Sequence, residues 1–264
     1  MIHPSRPRRR PGPHALLLFC AGWLTAVLGG ACQAAAANPV DLYLPDAPPL
    51  SMPGPATGHG IVGDATLKAA ALAGVDVNLI LQPWPRAQLS VRDGSNHLII
   101  PLSRTPDREA HYTWIAPIMS MDRAFFSLGA PVASFEQARK TYRRIAVGMG
   151  SAQEQKLRDE GFADGQIYPV KIGENPAQLL LLGRVDAWFN GVPETRYIWR
   201  GVSDRPLQMS PPLMNTDLYL ACSRVCDAAL VQRLRRVIED LRDDGTLKRI
   251  ADAYLDETSG SLAK

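Results

Sequence analysis

The sequence predicts an α/β protein folded into two lobes. Three observations lead there: hydrophobic patterning that alternates between strand and helix periods, a strand–helix–strand unit in the first third that is repeated mid-chain, and irregular segments near residues 119–130 and 206–216 that divide the two sets. Strand, helix, strand in that order calls for a parallel sheet. The two dividing segments are expected to be the hinge.

The elements follow in order. After the prolines Pro45, Pro48, Pro49 and Pro53, the residues Leu67, Ala70 and Ala71 recur at helical spacing until Gly74, a glycine stop. Val75, Val77, Leu79 and Leu81 alternate with Asp76 and Asn78 as a strand does. A short helix is expected over 85–92, a turn at Asp93-Gly94, and an apolar strand over 97–103. In the middle, Ser134 with Gln137 forms a capping-box signature, and a buried strand over 145–149 runs into Gly150. Ser151 with Glu154 then repeats the capping box. Asn175-Pro176 supplies a cap and a proline at the first helical position, Leu179 to Leu182 fills the apolar face, and Gly183 closes the helix before a strand over 185–189. A long strand is expected over 213–221. The stripe Leu230, Leu234, Val237, Ile238 and Leu241 then marks a helix stopped by Gly245, and Thr246 opens a last helix carrying Leu247, Ile250, Ala251 and Tyr254.

The N-terminus has the order of a secretory leader over residues 1–37: Arg6, Arg8, Arg9 and Arg10, then an apolar run from Ala15 to Ala31, then the small residues Ala34 to Ala37. Four residues in the run (Gly22, Thr25, Gly29 and Gly30) and its shortness against the ~20 residues of a spanning helix argue against an anchor. Arg8-Arg9 lacks the usual twin-arginine surroundings. Cys32 raises lipid anchoring as an alternative, although Gly29 stands where such sites want a bulky aliphatic residue. The expected location is the periplasm.

Charge follows from export. The leader holds four of the 29 basic residues and none of the 26 acidic ones, so the remaining chain is near neutral, about −1. The basic balance of the whole chain therefore says nothing of nucleic acid, and no such partner is expected. Beyond the leader only Cys222 and Cys226 remain, and a lone pair in an oxidising compartment is expected to form a disulfide. His59, His97 and His111 show no paired ligand spacing, so no metal and no cofactor is expected.

Five segments, "PWPRA", "LSRTPDREAHYTWIAPI", "GMGSAQE", "LLGRVDAWF" and "LRDDGTLKRIADAYL", resemble in this order the polar amino-acid type of bacterial extracellular solute-binding protein, family 3, the receptors of ABC importers. The resemblance spans about residues 40–257. It implies a type II periplasmic-binding-protein fold, in which two α/β lobes joined by two hinge strands close on a ligand. The first lobe would be 38–120 with 214–264, and the second 121–213. A monomer serving a membrane permease is implied.

The resemblance also suggests ligand-binding residues. Arg108 stands where the family grips a carboxylate, and a guanidinium suits that task because its planar fork makes two parallel charge-assisted bonds. Thr105-Pro106-Asp107 reads as a cap and first turn, which would set Arg108 near a helix N-terminus. A solvated arginine paired with Asp107 or Glu109 is the alternative. Ser103 ends the strand 97–103 and matches a ligand-bonding position. Arg104 beside it is a second candidate cation or a surface arginine. Trp84 matches an aromatic that covers the solute, or else packs in the core. Gly150, Ser151 and Gln153 match the closing loop, where Ser151 either caps its helix or reaches the ligand. Two departures stand out. Ala47-Pro48 replaces an aromatic found in many relatives, and Gly191 replaces the aspartate that holds an amino group. Asn190 and Glu194 flank that gap. Either Glu194 substitutes, or the ligand has no ammonium. Asp186 resembles a structural position.

The expected function is capture of a small polar, carboxylate-bearing solute without chemistry. A solute sensor or accessory binding protein is the first alternative. A dehydratase-type enzyme is the second, with Glu194 as the one acidic group in the cleft positioned for general acid–base work.

Overall fold

In the computed structural model, the described residues are 39–54 and 58–256. The expected leader, its cleavage region and Cys32 lie outside them. In chain order the first elements are β1 (Val40–Leu44), α1 (Ile61–Leu72), β2 (Val77–Leu81), α2 (Trp84–Asp93), β3 (Leu98–Ser103), a 3-10 turn (Pro106–His111) and β4 (Tyr112–Ser127). Then come α3 (Phe135–Thr141), β5 (Ile145–Gly148), α4 (Ala152–Asp159), β6 (Ile167–Val170), α5 (Pro176–Leu181), β7 (Ala187–Gly191) and α6 (Val192–Arg200). The chain continues through β8 (Gln208–Met209), β9 (Met214–Ser223), α7 (Ala228–Asp243) and α8 (Thr246–Asp256).

The strands line up as β2-β1-β3-β9-β4-β7-β5-β6, with β8 on β4. The outer three at each end carry the parallel pairs β1 with β2 and β3, and β5 with β6 and β7. Between them, β9 and β4 run antiparallel. The first part of β4 pairs with β9, from Tyr112 opposite Ser223 to Arg123 opposite Met214, and its end pairs with β7, from Arg123 opposite Gly191 to Ser127 opposite Ala187. Arg123 is thus the residue at which β4 meets both neighbours. The fold is the expected two-lobed α/β class. One main core packs Leu42, Leu98, Ile100 and Leu220 against α1 and α7, and another surrounds Phe125, Ile145, Val147 and Phe189.

The largest departure from the sequence reading is β4 itself. Residues 119–127, expected to be irregular, continue one sixteen-residue strand. Its pattern is hidden by Pro117 and by register shifts between Trp114 and Ala116 and between Pro117 and Met119. Such bulges free backbone carbonyls that need partners. Two arginines of α7 supply them: Arg235 donates to the carbonyls of Trp114 and Ile115 at 3.0 and 2.9 Å, and Arg242 donates to that of Pro117. Within 206–216, β8 and the start of β9 are likewise ordered strand. Smaller differences are one- or two-residue shifts: β2, β3, β7 and β9 begin at 77, 98, 187 and 214.

Local signals formed as written. Ser134 accepts from the Gln137 amide at 3.1 Å, while the Gln137 side chain accepts from Ala133 N at 2.7 Å. Asn175 caps α5 by accepting from Gln178 N. α1 lacks a side-chain cap. The loop after β1 ties it instead, with Ile61 N donating to Pro49 O at 2.8 Å. That approach requires Gly60, whose φ is +81° and whose Cβ would stand 2.7 Å from Leu50 backbone. Cys222 and Cys226 are bonded, joining the end of β9 to the approach of α7. Asp186 is structural, its carboxylate accepting from Arg143 N and Arg144 N at 2.7 and 2.9 Å.

Phe125 centres the second core, with ring centroids of Phe189, Phe135, Tyr142 and Phe162 at 4.6, 5.7, 5.8 and 6.2 Å. Removing a buried ring of this kind costs about 3–5 kcal/mol. Phe125→Ala is expected to lower stability by that amount in urea unfolding followed by tryptophan fluorescence; a loss below about 1 kcal/mol would contradict the packing.

Candidate functional site

Two adjoining spaces open where the strands change partners. The inner one, about 50 Å³, is walled by Trp84, Ser103, Arg108, Met121 and Arg123. The outer, about 210 Å³, is walled by Asp46, Lys171, Glu174, Trp188 and Asn190. They share Ala47, Ser151, Gln153, Ile172 and Glu194. Either is large enough for water, and the outer one for part of a small solute.

Two guanidiniums meet at the end of β3. Arg108 is 8% exposed and Arg123 only 1%. Arg108 donates to the backbone carbonyl of Ser103 at 3.2 Å, and Arg123 donates to the Ser103 hydroxyl at 2.7 Å. Arg123 also donates to Thr216 Oγ1 at 2.7 Å and to Met121 O at 3.1 Å, leaving its buried Nε without a partner. Among the described residues no carboxylate lies within 4.0 Å of either group. Burial pulls both below the usual arginine range, and the charge of Arg108 adds to the effect on Arg123, which falls to about 10. At neutral pH both remain cations. A buried charge without an ion partner is unfavourable, so this end of the cavity is prepared for an anion.

The same cavity carries an acid, over the β7 residue that pairs with Arg123. Glu194 lies in the first turn of α6, and its Oε2 is sealed from solvent without a hydrogen-bond partner, although the residue as a whole is only partly buried. Burial raises its pKa to about 7, against the opposing charge of Arg123. The carboxyl folds back over Gly191: a Cβ built there would lie 2.4 Å from Glu194 Oε2 and 2.7 Å from Met121 Sδ. Glu194 therefore occupies the space that a side chain at 191 would enter. Beside it, Gln153 donates to Asn190 Oδ1 at 3.3 Å and Asn190 donates to Thr195 Oγ1 at 3.4 Å, so buried amides continue the wall.

The closing loop is held by one carbonyl. Gly150 O accepts from Arg108 Nη2 at 3.0 Å and from Gln88 Nε2 at 2.9 Å, bringing α2 and the Arg108 turn onto the start of α4. Gly150 has φ +70°, a conformation glycine adopts freely. Ser151 accepts from Glu154 N at 3.2 Å as a helix cap, and Glu154 returns the bond from Gly150 N at 2.7 Å, while Ser151 also borders both cavities. Trp84 is a core residue that also reaches the cavity. It packs among Tyr43, Leu102 and Trp114 and forms a wall of the inner space.

Two expectations need correction. Arg104 does not border either space: it pairs with Glu109 at 2.5 Å, is 42% exposed, and lies over Trp114 and Tyr219 at 5.5 and 5.4 Å. Its side chain leaves β3 on the side away from Ser103, as alternation demands. Arg108 is not at a capped helix N-terminus. The segment is a six-residue 3-10 turn, and Thr105 makes no side-chain cap bond. The residue missed from the sequence is Arg123, whose signal was a single arginine inside the apolar run "MDRAFFS". Ala47 and Pro48 do wall the outer space, with no aromatic there.

Glu194 makes stability depend on pH. Its folded pKa of about 7 lies above the ordinary 4.5, so between these values the folded state holds a proton that the unfolded chain releases. Stability from this group therefore falls as pH rises through that window and is level above it. The stability difference between the unliganded protein and Glu194→Gln is expected to shift by at most about 3 kcal/mol from pH 4.5 to 7.5. Parallel pH curves for the two proteins would contradict the buried carboxyl.

Comparison with known proteins places this geometry in a family. None of the curated proteins matches the sequence. Solved structures share the fold at low identity. The arginine-, lysine-, histidine-binding protein ArtJ of Geobacillus stearothermophilus is 15% identical with a TM-score of 0.72, covering 84% of this chain and 99% of that one. The GluR0 ligand-binding core of Nostoc punctiforme, solved with L-glutamate, is 16% identical with a TM-score of 0.70, over 83% and 100%. A histidine kinase sensor domain with similarity to periplasmic binding proteins is 18% identical with a TM-score of 0.73, over 83% and 96%. Residues 42–257 match the bacterial extracellular solute-binding proteins, family 3, and the chain belongs to that family.

Proposed function

We propose that this protein is a periplasmic receptor that captures an amino-acid-type solute between lobes 38–120 plus 214–264 and 121–213, and delivers it as a monomer to the permease of an ABC importer. The leader over residues 1–37 would direct export. The carrying observation is the meeting of opposite charges in one cavity, lined by Arg108 and Ser103 and by Glu194, which folds over Gly191. Arg108 commits two of its five N–H groups to backbone carbonyls and keeps the rest for a solute carboxylate. Glu194 takes the place of the aspartate that relatives use for the ammonium, from three residues further along the chain. Ser151 and the Asn190–Gln153 pair complete the walls, and Trp84 excludes water from the inner end. Binding of arginine, lysine, histidine or glutamate by proteins of the same fold agrees with such a site. No bond is broken or made in this reading.

A thermal-shift screen of the chain without its leader tests it. A ligand at 100 times its Kd adds about 2.7 kcal/mol, or about 5–10 °C for a chain of this size. Amino acids carrying a free α-carboxylate are expected to give that shift and Arg108→Ala to abolish it. A strong response to cationic amines without a carboxylate, unchanged in Arg108→Ala, would overturn the assignment.

The ammonium end has its own signature. Because Glu194 must be ionised to pair with an ammonium, affinity is expected to rise with pH up to about 7, by at most tenfold per pH unit, and to level off above. Titration calorimetry from pH 5.5 to 8 reads this slope. Glu194→Gln should flatten it, and an unchanged slope in that variant would remove Glu194 from the role.

A further inference from the structure

Arg123 is left over when the amino-acid reading is complete. A zwitterionic solute offers one carboxylate to Arg108 and one ammonium to Glu194, and the second buried guanidinium, whose cavity counter-charge is that same Glu194, then has none of its own. The outer residues do not supply one: Asp46, Lys171 and Glu174 are exposed to water, and Lys171 pairs with Glu174 at 3.7 Å. Neither does the cavity wall apart from Glu194, since Asn190, Gln153 and Ser151 are neutral. Asp122, next in the chain, is turned outward and accepts from Asn215 Nδ2 at 2.8 Å.

The hydrogen bonding around Arg123 is directional. Its two terminal nitrogens are engaged by Thr216, Met121 and Ser103, while the Nε–H is buried and unengaged. Ser103 Oγ accepts from Arg123, and no acceptor for its own proton is found among the described residues. Nε–H and the Ser103 hydroxyl are thus two free donors on the edge of one guanidinium, a pair suited to a carboxylate. Arg108 reaches Ser103 from the carbonyl side, at 3.2 Å, so its free donors are separate from these.

We propose that Arg123 with the Ser103 hydroxyl forms a second carboxylate site, and that the protein's solute is an acidic amino acid, with two carboxylates for Arg108 and Arg123 and one ammonium for Glu194. This rests on the receptor reading and narrows it. Two guanidiniums and one carboxylate give the cavity a net positive charge that the net negative charge of an acidic amino acid matches, whereas a neutral side chain leaves Arg123 sharing Glu194 with the ammonium. A side-chain amide in place of the acid would present its NH2 or its less basic oxygen to donors built for an anion.

The test needs no variant to be decisive. Calorimetry on the chain without its leader compares L-glutamate with L-glutamine, and glutarate with its monoamide, at fixed pH and ionic strength. In each pair the free acid is expected to bind at least tenfold more tightly, and Arg123→Gln is expected to collapse the ratio. Preference for the acid in the glutarate pair alone still supports a second anion site, while counting against the ammonium role of Glu194. Equal affinity within both pairs would overturn the inference and leave the receptor standing, as two guanidiniums sharing one carboxylate would produce. Binding of none of the four at millimolar concentration would overturn the inference and leave the receptor reading to the wider thermal-shift screen.

Discussion

The structure turns on the burial of two arginines at one serine. β3 ends at Ser103, β4 passes beneath it and β9 lies between them, so that the backbone carbonyl and the hydroxyl of a single residue receive Arg108 and Arg123. Two like charges brought this close repel, and burial removes the water that would screen them. What holds them is a set of neutral acceptors: Thr216 from β9, the carbonyls of Met121 and Gly150, and both oxygens of Ser103. Neutral acceptors orient a guanidinium without cancelling its charge. The strand crossing therefore carries a net positive charge, offset only by Glu194, and the shape of the sheet fixes where it lies.

Packing at the same crossing leaves the space beside Gly191 to the Glu194 carboxyl. Gly191 ends β7 opposite Arg123 of β4, and Met121 Sδ closes over it. A side chain there would collide with both Met121 and the Glu194 carboxyl. An acid arriving from the first turn of α6 reaches the same space from the side. The cost is that Glu194 loses solvent without gaining a hydrogen bond, which is why its proton affinity rises despite a neighbouring cation.

How much of this was legible in the sequence depended on whether a signal was local. Capping boxes at Ser134 and Ser151, the Asn175-Pro176 start and the glycine stops are written within four residues, and each formed. The stretch 119–130 was misread as irregular, because β4 is made regular by groups far away: Arg235 and Arg242 satisfy its bulges, and Thr216 satisfies Arg123. A lone arginine in an apolar run carries no mark of whether it is buried. For the same reason β1, bounded by prolines, and β6, with Pro169 inside it, gave no alternating pattern to read. Of the candidate residues, Ser103, Arg108, Trp84, Ser151, Gln153, Asn190 and Glu194 do gather around the cavity, and Arg104 failed because strand alternation turned it outward.

Closure of the cleft and neutralisation of its charge are one problem. Few direct bonds cross between α2, the Arg108 turn and the start of α4, chiefly those of Gln88 and Arg108 to Gly150 O. Two neutral-acceptor hydrogen bonds contribute on the order of 1–3 kcal/mol each at most. Against them stands the loss of water around Arg108 and Arg123 as the cavity seals. In the proposed receptor, a solute that brings negative charge to the arginines offsets that loss. Its binding free energy would then favour whichever arrangement of the proposed lobes brings both guanidiniums and Glu194 within reach of one small molecule.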